Sequence, residues 1–277
     1  MIPAGREFYK MTGSGNDFVF VDVRTEPAGK LEHPDVIREI CARGSGIGAD
    51  GIVFLRGGSR GQVGLRYLNS DGSRAALCGN ATLCTARLAA ELGIVGFDRD
   101  FTIETDSGPV GARFREGLPE VDFQRVEELQ ECFQAELLDG ELRIGFALVG
   151  VPHLVVRCQD VDKARVIERG RQLRRLPELA HGANVNFVSQ AGTAWRIRTY
   201  ERGVEAETLA CGTGTVATAL LLNAWGEAPD TMSLTSRSGR VLHVRHRKVS
   251  GGWLPSLSGE ARIVFVGQLG EFAPASV

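Results

Sequence analysis

The sequence contains no C-x-x-C pair and no H-E-x-x-H pattern, and its six cysteines are scattered over 277 residues. That density is too low for a disulfide scaffold. Cys78 and Cys84, six positions apart, do not match the ligand spacing of a zinc site, so no metal is expected. Basic excess is also missing. A formal net charge of -2 argues against a polybasic surface, and no nucleic-acid partner is expected. The opening MIPAGREFYKMTG lacks the apolar core of a signal peptide. No apolar run reaches the ~20 residues that a membrane span requires. These absences predict a cytoplasmic protein without a membrane partner.

Glycine, in contrast, is abundant, with 35 residues. Many fall in clusters such as TGSGND, RGSGIGADG and CGTGT, where tight turns or close backbone approach to a ligand suit a residue without Cβ. Two of these clusters belong to a longer repeat. CGNATLCTARLAAELG (Cys78 to Gly93) aligns without a gap on CGTGTVATALLLNAWG (Cys211 to Gly226), an offset of 133 residues. Tyr67 and Tyr200 precede their cysteines by the same interval, and GADGIVF from Gly48 recurs loosely as GANVNFV from Gly182. Several matches in one order predict two similar halves, residues 1–125 with Cys78 and 126–277 with Cys211. The last strand is able to return to the first half. The alternative is a coincidence of two alanine-rich helices.

Local patterns agree with duplication. FVFVDV and HLVVRC read as strands, HPDVIREICARG and DKARVIERGRQLRRL as amphipathic helices. GLRYLNSDGS and AWRIRTYERG read as strands that run into polar turns, each leading to its cysteine helix. FTIETDSGPVGARFREG and SLTSRSGRVLHVRHR read as hairpins around SG turns. The expected fold is α+β: two duplicated domains, each an antiparallel, barrel-like sheet around a central helix, with an active-site cleft between them.

Both cysteine helices are expected to end at glycine, Gly93 and Gly226. At the other end, a helix N-terminus offers unpaired N–H groups and a positive field. These lower a thiol pKa and bind an anion such as a carboxylate. Two such thiols suit inversion of a carbon centre, which needs a base on one face and an acid on the other. The donors that hold the carboxylate would also stabilise an enediolate-like carbanion. A redox pair of Cys78 and Cys211 is the competing thiol reading, and a buried core thiol is the bland one. Cys84, Cys41, Cys132 and Cys158 read as core cysteines, because no polar glycine cluster follows them.

The segments KMTGSGNDFVFVD, RGSGIGADG, LNSDGSRAALCGNATLC, GVPHLVV, ANVNFV and TYERGVEAETLACGTGT, in this order, resemble the diaminopimelate epimerase family over essentially the whole chain. The resemblance implies a two-domain isomerase, with one cysteine from each domain. Its members interconvert LL- and meso-diaminopimelate without pyridoxal phosphate or another cofactor, in lysine and cell-wall precursor synthesis. It implies Cys78 and Cys211 as the acid/base thiols. Gly79, Asn80, Gly212 and Thr213 are implied as the carboxylate donors. Asn16, Asn69, Asn184 and Arg202 would recognise the substrate, chiefly its distal end. Glu201 would contact substrate and tune the thiols, and His153 would influence their pKa. A homodimer is a further expectation.

Read without the family, Asn16 and Asn69 fit turn residues that satisfy their own backbone, Arg202 an exposed charge, and His153 a structural histidine. The chain also departs from the family pattern. Val151 stands where the family usually has a substrate-contacting asparagine, and Ala81 and Leu83 replace a glycine and an arginine of CGNGxRC. These changes leave the thiols in place and open an alternative, a cofactor-independent racemase or epimerase of another amino acid. A catalytically inactive binding protein of the same fold is a third reading.

Overall fold

The structure, a computed structural model, describes residues 5–58, 63–74 and 78–270. Residues 75–77 of the LNSDGSRAALCGN segment therefore lie outside the described residues. The described chain falls into two compact units, Met1–Val121 with Glu260–Val277, and Asp122–Gly259.

The first unit is built from β1 (Glu7–Gly13), β2 (Asn16–Asp22), α1 (Pro34–Cys41), β3 (Gly51–Gly57), β4 (Val63–Asn69), α2 (Gly79–Glu91), β5 (Phe101–Thr105), β6 (Gly108–Arg115) and β7 (Leu118–Asp122). The second contains β8 (Leu129–Gln130), β9 (Glu141–Val149), β10 (Val151–Cys158), α3 (Val166–Leu173), β11 (Asn184–Ala191), β12 (Ala194–Glu201), β13 (Ala206–Thr208), α4 (Gly212–Ala224), β14 (Thr231–Thr235), β15 (Val241–Val249) and β16 (Gly252–Gly259). The last strand, β17 (Ala261–Gln268), pairs antiparallel with β1 and so belongs to the first unit.

The two units repeat one order of connections. A hairpin (β1–β2, or β9–β10) leads through a helix to a strand that pairs in parallel with the second hairpin strand. A second hairpin follows (β3–β4, or β11–β12). The cysteine helix then leads to another parallel pairing, β4 with β5 and β12 with β14. Each unit is thus a mixed sheet, where the strand patterns alone suggest antiparallel hairpins. The reason is connectivity. Antiparallel neighbours need only a tight turn, whereas α1, α2, α3 and α4 each carry the chain across the sheet and return it in the same direction. FTIETDSGPVGARFREG and SLTSRSGRVLHVRHR do form the hairpins β5–β6 and β14–β15.

α2 and α4 are the central helices. Each has 13 residues and each begins immediately after its cysteine. Residues 79–86 of α2 and 214–222 of α4 are buried throughout, so these helices are enclosed on every side rather than along one stripe. α4 packs against β9, β10, β11, β15 and β16, and α2 against β1, β4 and β17. Leu220, Leu221 and Leu222 are fully buried, and each such side chain contributes about 1.5–3 kcal/mol of transfer free energy. Leu83 and Ala81 are likewise fully buried, so the two family departures in α2 are part of an apolar core. Both helices stop at a glycine in the left-handed region, Gly93 (φ 69°) and Gly226 (φ 75°), where a Cβ would be strained. No helix among the described residues is long and apolar enough to cross a membrane.

Candidate active site

Cys78 and Cys211 occupy the same structural position. Each is the N-cap of its helix with extended backbone angles, φ -128° and ψ 112° for Cys78, φ -136° and ψ 109° for Cys211. The N–H and hydroxyl of Thr82 both donate to the Cys78 carbonyl, each at 2.9 Å. Thr215 does the same for Cys211, at 2.9 and 2.8 Å. A threonine four residues on therefore clamps the carbonyl of each cysteine. Neither thiol caps its helix. The first-turn amides at Gly79 and Asn80, and at Gly212 and Thr213, have no intrahelical acceptor and supply the positive end of the helix field. Cys78 is half-buried and Cys211 is 8% exposed.

The remaining cysteines behave differently. Burial pushes Cys41 and Cys158 up to about 12 and Cys84 well above the usual thiol range, so all three stay protonated. Cys132 is exposed, which corrects its reading as a core residue. It lies in the irregular segment between β8 and β9, where no periodic pattern directs a side chain inward.

In the first unit, polar side chains converge on α2 from β1, β2 and the glycine-rich loop after α1. Asn80 Nδ2 donates to Asn16 Oδ1 at 2.6 Å, and Asn16 Nδ2 donates to Asp50 Oδ2 at 2.9 Å. Asp50 also accepts from the Asp17 N–H and from Arg43. Arg43 and Lys10 both pair with Asp17, each at 2.6 Å. Burial acts to raise the Asp17 pKa, but its bonds to Arg43 and Lys10 outweigh it and hold the carboxyl below the usual range. The glycines make this convergence feasible. A Cβ at Gly13 would lie 2.8 Å from Cys84 Sγ and 3.0 Å from the Asn80 carbonyl oxygen. Asn69 stands apart from this chain of bonds: its side chain donates to Ser73 Oγ at 3.0 Å, while its carbonyl accepts from the Gly72 N–H at 2.9 Å.

In the second unit, His153 is fully buried on β10, opposite Asn184 in the parallel register with β11. Asn184 Oδ1 accepts from the Arg202 N–H at 2.8 Å, and the Arg202 guanidinium donates to the carbonyls of His181 and Gly182. Glu201 precedes it as the last residue of β12. Cys211 Sγ lies 3.5 Å from Thr213 Oγ1. Val151, half-buried, is the first residue of β10.

Comparison with known proteins decides the family. The diaminopimelate epimerase family model matches twice, over residues 8–124 and 145–261. The chain belongs to the diaminopimelate epimerase family. The double match also accounts for the repeat: each half carries one copy of the same pattern. A diaminopimelate epimerase of Gemmatimonas aurantiaca is 43% identical over 274 residues, covering 95% of this chain and 98% of the relative. One of Aquifex aeolicus is 40% identical over 253 residues, covering 86% and 89%. Among solved structures, a phenazine biosynthesis protein of the PhzF family from Bacillus anthracis shares the fold at a TM-score of 0.74 and 14% identity, covering 95% of this chain and 98% of that one.

Two residues of these arrangements were not singled out from the sequence. Asp50 lies within RGSGIGADG, but its bond to Asn16 spans 34 residues and has no local signature. Asn186 had a signal: in ANVNFV it alternates with Asn184, and alternate residues of a strand share a face.

His153 gives the fold a specific pH dependence. Burial pushes its pKa down to about 3 from an ordinary 6.5, and the Arg202 charge pushes the same way. His246 is lowered too, chiefly by burial. Below about pH 6.5 an unfolded histidine takes up a proton that the folded one refuses. Stability is therefore fully present above that pH and declines toward 3. The urea midpoint is expected to fall between about pH 7 and 5.5, above the range in which unfolded carboxylates take up protons, and less steeply in His153→Gln. Equal slopes for the two proteins would contradict this assignment.

Proposed function

We propose that the chain interconverts LL- and meso-diaminopimelate with two thiols, Cys78 and Cys211: one, as thiolate, removes the α-proton, and the other delivers its own proton to the opposite face. The observation that carries this reading is the duplicated N-cap cysteine, within a chain that belongs to the diaminopimelate epimerase family. A thiolate is favoured at a helix N-terminus, and removal of the α-proton leaves negative charge on the substrate carboxylate. The amides of Gly79, Asn80, Gly212 and Thr213 are the donors we assign to that carboxylate, because they gain strength as the charge develops. When the reaction reverses, the two thiols exchange the roles of base and acid.

Asn16, Asn69, Asn184, Glu201 and Arg202 are assigned to substrate recognition. Asp50 braces Asn16, which in turn accepts from Asn80; the Arg202 main-chain N–H holds the Asn184 side chain, and the carbonyls of His181 and Gly182 hold the Arg202 guanidinium, so these groups are oriented before substrate arrives. His153, held neutral, is assigned to tuning the thiols.

Val151 supports a second reading, in which the same thiols act on another amino acid. Its side chain cannot hydrogen-bond, and a site short of one polar partner discriminates less among substrates. Incubation with LL-diaminopimelate and a panel of other amino acids, without added cofactor, separates the two by chiral chromatography. The meso product is expected from LL-diaminopimelate, with every other amino acid recovered unchanged. Inversion confined to a different amino acid would replace the substrate assignment while leaving the chemistry.

A further inference from the structure

Asn186 is fully buried on β11 and uses three of its hydrogen-bonding directions at once. Its Oδ1 accepts from Thr199 Oγ1 at 2.9 Å. Its Nδ2 donates to the Leu154 carbonyl at 3.0 Å and lies 3.2 Å from His153 Nδ1. The Leu154 carbonyl can only accept, so the atom facing it must be the amide nitrogen, and the amide orientation is settled. That same NH2 group faces His153 Nδ1, which must then be the bare, accepting nitrogen. A neutral imidazole with a bare Nδ1 carries its proton on Nε2. His153 Nε2 is buried and has no hydrogen-bond partner among the described residues.

The other end of the amide meets the cysteine helix. A Cβ at Gly214 would lie 2.2 Å from Asn186 Oδ1 and 3.2 Å from Cys211 Sγ, so the amide and the thiol flank one glycine. One side chain thus connects the imidazole of β10 to the first turn of α4. We infer that Asn186 is a positioning residue for the Cys211 half of the reaction: it fixes His153 as the Nε2–H tautomer and seats the first turn of α4 against its own amide. Its effect on catalysis rests on the two-thiol reading above; its effect on the tautomer does not. Around the ring, β9 places Ala147 opposite His153, β11 places Asn184 there, and Arg202 is the charge whose field reaches it.

The test uses full-length protein with 15N-labelled histidine. Long-range 1H–15N spectra are expected to show the wild-type His153 ring protonated on Nε2 and bare on Nδ1, unchanged from pH 7 to pH 5. Asn186→Asp keeps the acceptor for Thr199 but turns the group facing Nδ1 from donor to acceptor. It should move the proton to Nδ1 or produce the imidazolium. It should also lower kcat by about a hundredfold, the scale of a small misplacement of reacting groups, and add an ionisation to the pH profile of kcat/KM. Thr199→Val removes one bond but leaves Nδ2 in place, so the Nε2–H signature should persist. A wild-type ring protonated on Nδ1 would overturn the inference, even if Asn186→Asp fails to fold. So would an Asn186→Asp protein with an unchanged tautomer or an unchanged pH profile. A tautomer as stated in a protein that does not epimerise diaminopimelate would instead count against the proposed substrate.

Discussion

Cys211→Ala is expected to lower epimerisation by about a thousandfold or more, and Cys78→Ala to do the same. Positioned proton transfer contributes about 10²–10⁴ in rate, and in the proposed mechanism each thiol would serve one face of the α-carbon, so neither could stand in for the other. The fold should tolerate both changes. Cys78 is half-buried, Cys211 is only just inside the surface, and neither thiol caps its helix. The carbonyl bonds from Thr82 and Thr215 are to backbone and survive truncation of the side chain. Cys84→Ala provides the contrast. Its thiol is fully buried and stays protonated, so it should lose stability while activity per folded molecule remains. Chiral assay beside urea unfolding reads both quantities. Substantial turnover in Cys78→Ala or Cys211→Ala would remove the two-thiol mechanism.

Gly214→Ala is expected to damage both activity and stability, although it adds one methyl group at a helix position that usually welcomes alanine. The new Cβ would lie 2.2 Å from Asn186 Oδ1, an atom that cannot simply swing aside. Its amide is held by Thr199, Leu154 and His153. Either the amide gives up those bonds or the first turn of α4 shifts, carrying Cys211 with it. Overpacking of this kind costs about 1–3 kcal/mol, and a displacement near 1 Å at a reacting group costs about a hundredfold in rate. Gly57→Ala, where a Cβ would meet nothing within 4 Å, is the control and should change neither. A Gly214→Ala enzyme with wild-type kcat and urea midpoint would show that α4 is not seated as described.

What the sequence revealed, and what it hid, follows from how far each interaction reaches along the chain. The alignment of Cys78 to Gly93 on Cys211 to Gly226 is a local pattern, and both helices begin and end where it places them. The hairpins β5–β6 and β14–β15 are also local, since alternation and an SG turn suffice to specify them. Parallel pairing of β2 with β3 or β12 with β14 is not local: two strands joined through a helix have no turn chemistry to announce their direction. Among the candidate site residues, Asn16 lies between Asn80 and Asp50, and Arg202 is bonded to Asn184. Asn69 lies in the turn that its NSDG setting suggests, with its carbonyl accepting from the Gly72 N–H, but its side chain bonds the Ser73 hydroxyl rather than backbone. The alternation in ANVNFV puts Asn186 on the face of Asn184, but its partners at 153, 154 and 199 are brought together only by the register of β10, β11 and β12.

The central claim is that one thiol removes the α-proton and a different thiol returns one to the opposite face. Its most direct measurement is a single-turnover reaction of protiated LL-diaminopimelate in deuterated water, with mass and stereochemistry read on both substrate and product. Two thiols predict meso product carrying one deuterium at the inverted carbon from the first turnover, while recovered LL substrate keeps its protium. Meso product that retains the original proton would mean that one group serves both faces, and would contradict the account.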